Sequence, residues 1–564
     1  MHPSATKFHL KIMLYIGTQF IDMQWQSFNS RRGIFFLFIW LSLSLPGFGG
    51  NLNRLALADT SAVIDVQHYN FELKLSDEND TLKGQATITV KFLKDVNNFH
   101  LDLAKKNSEG KGMLVSAVNE DDAPVSFVQN NEVVEIKTPV KKSSLHSYKI
   151  TYQGIPGAGL IISTNKFGHR TFFGDNWPDN AHSWLPCNDK PADKATVDFV
   201  VTAPDHYRVI SNGLMIEETL LPNHLKLTHW KETAQLPTKV MVIGAADFAM
   251  DHTGDVGGIP VYTYVFPESK DAGFKSYAVA KEILAFYIKR IGPYAYEKLA
   301  NVQSKTKFGG MENASAIFYT ENSVTSKGIE ELMAHEIAHQ WFGDGVTEKS
   351  FNHLWLSEGF ATFMTNVYLE NKYGEDTLKK RLANDRALVF EFEKTNGMPV
   401  VDTTINNNYD QLLNPNSYQK GGWVLHMLRR KLGEEAFWKG IRNYYAKYNG
   451  NNANTYDFRA VMEEARGQNL QSFFKQWLYT PGHPQLEISW TYNAAKGVVG
   501  LTITQKQKTL FEFPLEVYID HQLHTINIKT KKTAIQFSVK EKVTSLKADP
   551  NVNLLAEFDV RGIQ

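Results

Sequence analysis

From about Val63 to Met250 the chain alternates apolar and polar positions in short runs separated by turns, as in Tyr69-Asn70-Phe71-Glu72-Leu73-Lys74-Leu75 and Ala86-Thr87-Ile88-Thr89-Val90. A period of two places successive side chains on opposite faces, so these runs predict half-buried strands. The stretch Asp251-His252-Thr253-Gly254-Asp255-Val256-Gly257-Gly258 is polar and glycine-rich, and a domain boundary is expected there. Beyond it the period changes. From about Ser276 to Leu478 apolar residues recur at helical spacing, notably in Lys281 to Ile288, Gly328 to Trp341 and Leu354 to Tyr373, which predicts a mainly helical region. Pro481-Gly482 closes it. After Pro484, alternation returns in Leu486 to Tyr492, Val498 to Thr504 and Phe513 to Ile519, the mark of a small β-sandwich.

The expected plan is an α+β multidomain chain: an N-terminal antiparallel β domain over 63–250, a mainly helical domain over 251–482, and a C-terminal β-sandwich over 483–564. A chain of 564 residues is too long for one hydrophobic core, which agrees with several units. Residues 1–62 are unlike the rest. Arg31-Arg32 precede an apolar run from Gly33 to Leu45, followed by small residues at Gly47, Gly49, Gly50, Ala56 and Ala58, which reads as a secretory signal peptide. The run is shorter than the ~18 apolar residues a membrane span requires. Export with cleavage, to the periplasm or the extracellular space, is therefore expected; a retained N-terminal membrane anchor is the alternative, and Met1 and Met23 both stand as starts. Lys plus Arg and Asp plus Glu each number 60, so no net field favours nucleic acid. Oligomeric state is not legible. The single cysteine, Cys187, excludes an intramolecular disulfide and a thiolate zinc cluster, and it is expected in the core.

The candidate chemistry lies in the helical region, at Ala334-His335-Glu336-Ile337-Ala338-His339-Gln340. Residues four apart on a helix share a face, so His335 and His339 can reach one metal ion with Glu336 beside it as a general base. Gly343 and Asp344 stop this helix, and a second one starting near Leu354 brings Glu358 as a third, carboxylate ligand. Three protein ligands leave one tetrahedral position open, which is the arrangement of a catalytic zinc, one Zn2+ per chain. A chance HExxH helix is the bland alternative. The Glu in Trp355-Leu356-Ser357-Glu358-Gly359-Phe360-Ala361 argues against it.

These residues resemble the gluzincin signature of the aminopeptidase N family of zinc metallopeptidases. Gly309-Gly310-Met311-Glu312-Asn313 is similar to that family's GxMEN exopeptidase motif, and Tyr418-Gln419-Lys420-Gly421 to its Tyr-x-Lys-Gly segment. Pro186-Cys187-Asn188-Asp189-Lys190-Pro191 and Ser211-Asn212-Gly213 resemble signatures of its first domain. The likeness runs from about Asp65 to the end, and implies a thermolysin-like catalytic domain in a short member without the family's further C-terminal helical domain. It implies hydrolysis of the N-terminal bond of peptides with a free amino end: zinc on His335, His339 and Glu358, Glu336 as general base, and Tyr418 on the oxyanion. By the same resemblance Glu312 binds the terminal ammonium, and the Gly309-Gly310 edge pairs with the substrate backbone. The family's second amine ligand, a Gln or Glu in the first domain, has no clear counterpart. Counting places Trp177 there, and Asp175, Asn176 or neither stands in.

His182 reads as a surface or capping group. Asp344 reads equally as a helix cap or as an orienting partner for a metal ligand. Two rival readings remain. A zinc-dependent epoxide hydrolase would need a further helical domain with a carboxylate-binding Arg. A catalytically silent binding protein would be expected to lack a ligand, the base or the tyrosine, and all of these are present.

Overall fold

The computed structural model describes residues 62–562 apart from 407 and 520; the leader and both candidate starts lie outside them. The first region is built on an eight-stranded sheet whose central strands are Lys194–Pro204, Ile64–Lys74, Leu82–Phe92 and Leu145–Ile155. In Leu82–Phe92 every second residue from Leu82 through Ala86, Ile88 and Val90 to Phe92 is buried, as period-two alternation requires. Pairing is antiparallel except between Ile64–Lys74 and Lys194–Pro204, which run parallel with Phe71 opposite Phe199. A smaller four-stranded sheet, ordered Arg208–Ser211, Ile243–Ala246, Arg170–Asp175 and Gly159–Thr164, ends one strand on Asp175.

The polar stretch expected to be a boundary is a β-hairpin. Ala249–Val256 pairs with Ile259–Val265 across Gly257 and Gly258, both at positive φ. This hairpin opens a five-stranded sheet continued by Leu299–Ser304, Ala316–Thr320 and the edge strand Gly310–Met311. Leu299–Ser304 is buried at all six positions and has a parallel neighbour on each side. Strands covered on both faces show no alternation, which hides them from a reading by period.

Helices make up most of the rest of this region, beside a short two-stranded sheet of Val346–Glu348 and Asn451–Ala453. The motif helix Ile329–His339 packs against Glu358–Tyr373, which in turn packs against Gly421–Leu432. The last contact is close: a Cβ on Gly359 would lie 2.8 Å from the Gly421 Cα. The two backbones touch where neither carries a side chain. Among the described residues no helix is long and apolar enough to cross a membrane. The chain closes with two small sheets. Gln485–Asn493, Val498–Gln505, Lys532–Ser538 and Glu557–Gly562 form one, and Phe513–Ile519, Gln522–Ile528 and Lys547–Ala548 the other. Alternate residues such as Ile488, Leu501, Leu515 and Val517 are buried.

Candidate active site

The motif helix places His335 and His339 one turn apart, their rings 4.8 Å between centroids. Glu358 meets them from the next helix. The helix expected from Leu354 begins instead at Glu358, after a 3-10 turn over Phe351–Leu356. As the first helical residue, Glu358 has its carboxylate at the positive end of the helix dipole. Its Oε2 lies 3.2 Å from Nε2 of His335 and 3.3 Å from Nε2 of His339. Two ligands on a tetrahedral zinc with arms of about 2.0–2.1 Å stand about 3.3–3.4 Å apart, so the donor set and its spacing fit a zinc ion. The other nitrogen of His339, Nδ1, is 3.1 Å from both the Phe342 carbonyl and the Ser357 hydroxyl, which fixes the ring so that Nε2 faces Glu358.

Charge inside the site is strongly one-sided. Burial, reinforced by Glu312, Glu358 and Asp344 and opposed by His339, holds the proton on Glu336 well above the usual carboxylate range. Burial works against charge on His339, yet Glu358 and Glu312 raise it to about 10. Burial would raise Glu358 too, but the two imidazoles hold it well below that range. The cluster thus favours positive charge, and a dication among these groups would draw Glu336 back toward its ionised form.

His339 also belongs to a second cluster, which contains Glu336: donor atoms of Glu312, Glu336 and His339 all lie within 4.8 Å of one another. Glu312 is buried with Oε1 unpartnered, and both side-chain atoms of Asn313 are unpartnered. Gly310–Met311 passes directly over this carboxyl group. A Cβ at Gly310 would overlap the Glu336 side chain, so that strand position needs a residue without one. On the far side, the Tyr418 ring lies parallel to His335 at 6.0 Å and 12°. Tyr418 sits in one π-turn, Asn416–Lys420, and burial first, then Glu358 and Glu312, keeps its hydroxyl protonated far above pH 10.

The first region reaches into the site. Asp175 is fully buried; Oδ2 accepts from the Lys307 backbone N–H at 3.0 Å and the Thr306 hydroxyl at 3.2 Å, while Oδ1 has no partner. Burial, with Glu312 adding to it, raises the Asp175 carboxyl. Asn176 has nothing to spare: its amide nitrogen donates to the carbonyls of Thr238 and Met241 and its oxygen accepts from Trp184. Trp177 is buried edge-on against Phe308 and Phe351. Of the three, only Asp175 presents a free carboxylate oxygen. Lys239 makes a buried 2.6 Å ion pair with Glu348, and Lys194 donates to the Asp344 and Gly345 carbonyls, so the two regions are joined close to the His335, His339 and Glu358 cluster.

Two family models match the chain, the Peptidase M1 N-terminal domain over residues 65–240 and the Peptidase family M1 domain over residues 276–477. The chain belongs to peptidase family M1. A probable aminopeptidase 1 of Sulfurisphaera tokodaii is 26% identical to this M1 chain, over 87% of it and 62% of the relative. A leucyl aminopeptidase of Saccharolobus solfataricus is 25% identical, over 87% and 63%. A probable aminopeptidase 2 of S. tokodaii is 30% identical, over 76% and 55%. The chain thus spans less than two thirds of the length of these relatives. Legionella pneumophila aminopeptidase A, crystallised with aspartic acid, shares the fold at a TM-score of 0.76 and 16% identity, over 89% of this chain and 60% of its own.

Within the M1 chain, the residues singled out by motif, His335, Glu336, His339, Glu358, Gly309 to Asn313 and Tyr418, converge on one site. His182 lies elsewhere: its ring and backbone N–H both bond Asp189, at 2.8 and 3.0 Å. Asp344 neither caps the helix nor bonds His335, His339 or Glu358 through its side chain. It accepts from Gln340 at 2.8 Å, and Gln340 binds the Glu312 carbonyl and the Ser315 N–H. Gln340, Ser357 and Lys239 were not singled out by the sequence. Gln340 and Ser357 adjoin His339 and Glu358, and that adjacency is the signal they carry; Lys239 carries none. Cys187 is buried as expected.

Proposed function

We propose that this M1 chain is a zinc aminopeptidase that removes the first residue of peptides with a free amino end. The observation that supports this reading is that His339, one of the three donors His335, His339 and Glu358, also stands with Glu336 and Glu312 in a second cluster whose donor atoms all lie within 4.8 Å of one another. In a peptide the terminal nitrogen and the first carbonyl carbon are two bonds, about 2.5 Å, apart. A carboxylate for the ammonium must therefore stand next to the base that serves the carbonyl, and an internal peptide bond has no cation to offer there. The free Oδ1 of Asp175 beside Glu312 supports a second carboxylate for the same ammonium.

His335, His339 and Glu358 would hold a zinc ion, which when bound would supply Lewis acidity for hydrolysis. Glu336 takes the proton of the attacking water and delivers it to the departing amine. The Tyr418 hydroxyl, kept protonated by its surroundings, donates to the oxyanion that develops on the carbonyl oxygen. The edge strand Gly310–Met311 offers main-chain groups to an extended substrate and aligns it across Glu336. The leader read at Arg31 to Leu45 supports export of this activity, and the N-terminal residue of secreted protein tests that.

The decisive assay is a panel of aminoacyl anilides and their N-acetylated counterparts, run before and after chelation and zinc add-back. Cleavage of free-amine substrates, lost with chelator and restored by zinc, is expected. Rapid cleavage of the acetylated series would refute the exopeptidase reading.

A further inference from the structure

Behind Tyr418 lies a chain of buried charges that the proposed chemistry does not use. Lys420, two residues from Tyr418 in the same π-turn, has a side chain with 0% exposure. Its ammonium meets Oε1 of Glu393 at 2.6 Å and the carbonyl of Gly482 at 2.9 Å. A buried ammonium is stable only while its counter-ion stays in place. Glu393 is the last residue of the helix Glu375–Glu393, where the helix dipole disfavours a carboxylate, so it in turn depends on its cationic and N–H partners. Besides Lys420 it has His483, whose Nδ1 is 2.5 Å from Oε2 of Glu393 and whose Nε2 is 3.1 Å from Glu557. The His483 ring is stacked on Phe390 at 4.0 Å.

This chain crosses between structural units. Lys420 and Glu393 belong to the helical region, Gly482 and His483 form the passage out of it, and Glu557 lies on a strand of the C-terminal sheets. The opposite end of the π-turn is pinned separately, by the Asn416 amide on the Met398 carbonyl at 2.9 Å. The turn that carries Tyr418 is therefore held at one end by its own region and at the other by a bridge to the C-terminal sheets.

We propose that His483 and Glu393 are positioning residues that act through Lys420 to hold Tyr418 against the substrate carbonyl, making the C-terminal β module part of the catalytic apparatus. The proposal rests on the aminopeptidase reading above. Loss of the bridge lets the π-turn relax. Stabilisation of the oxyanion then falls, while the metal ligands and the ammonium carboxylates, which stand on other elements, are unaffected.

The test is His483→Leu in the full chain, assayed on an aminoacyl anilide with kcat, KM, zinc content and circular dichroism measured together. A fall in kcat of about tenfold is expected, with KM within twofold and zinc retained. His483→Asn, which places an N–H near the position of Nδ1, restores most of the rate, whereas a purely packing role for the ring would not be rescued by so small a side chain. A folded His483→Leu protein with kcat within twofold of wild type overturns the proposal. Should that variant not fold, Glu557→Ala decides, because its side chain is 43% exposed and its loss leaves the core intact. A two- to threefold lower kcat supports the bridge and an unchanged kcat overturns it. A wild-type protein inactive on every free-amine anilide would instead overturn the functional reading, and this proposal with it.

Discussion

The two halves of the proposed site, one for a metal and one for a substrate amine, are built in opposite ways. The metal half, His335, His339 and Glu358 with Glu336, stands on two neighbouring helices of a single region. The amine half, Glu312 and Asp175, is assembled from an edge-strand loop and the end of a strand in a different sheet, 137 residues apart in sequence when counted between them and joined through Thr306 and Lys307. A site on adjacent helices keeps its geometry locally. One made from two regions depends also on the junction between them, of which Lys239 and Lys194 are part. Damage to the metal half should therefore appear in turnover, and damage to the amine half in substrate affinity.

The largest effect should come from Glu336→Ala, which removes the proton-transfer group and leaves the three ligands. Turnover is expected to fall by about 10²–10⁴ or more, with one zinc per chain by elemental analysis. An unchanged kcat would separate Glu336 from the chemistry altogether. Tyr418→Phe, which removes one hydroxyl, should lower kcat by about 10²–10³ and leave KM almost unmoved. A rise in KM without loss of kcat would shift Tyr418 from the metal half to the binding half.

On the amine side the expected change is smaller and lies in KM. Asp175→Asn keeps the shape of the side chain and removes its charge, so KM for a free-amine anilide should rise about tenfold, the scale of one charge-assisted hydrogen bond. The same substitution should leave zinc content and Glu336-dependent turnover at saturation unchanged. An identical KM would leave Glu312 alone with the ammonium.

The smallest effect concerns stability and lies away from both halves. Burial lowers the His426 imidazole to about 4. Its folded value is below its unfolded value of about 6.5, so the native state resists protonation there. The stability this group contributes is complete above pH 6.5 and is lost as the pH falls from 6.5 toward 4. His426→Met, which cannot titrate, should shift the acid-unfolding midpoint to lower pH in circular dichroism. A midpoint that stays put would show that other groups govern acid unfolding.

The same contrast explains what the sequence reveals. The spacing of His335 and His339 is a property of any α-helix, and Glu358 follows on the next one, so the metal half is readable from short-range pattern. Glu312 is readable through its Gly309-Gly310-Met311-Glu312-Asn313 context. The choice between Asp175 and Asn176 is not, because it depends on which side chain has hydrogen-bonding capacity left over. Asn176 spends its amide on carbonyls 62 and 65 positions away, and Asp175 binds partners 131 and 132 positions away. No local pattern carries that information. The fold follows the same rule. Half-buried strands such as Leu82–Phe92 show their period, whereas Leu299–Ser304, covered on both faces, shows none. The polar Asp251 to Gly258 stretch resembles a linker in composition because one face of its hairpin is exposed to solvent.

The bare crossing of Gly359 and Gly421 has a further consequence. Glu358 precedes one of these glycines and the Tyr418 turn leads directly into the other, so the spacing of the two helix starts is gauged by main chain against main chain, while the setting of Tyr418 within its turn is left to Asn416, Lys420 and their partners. Such a contact has no rotamers to repopulate on heating or on loading with substrate. Side chains elsewhere in the region can then diverge, while this ruler stays the same length.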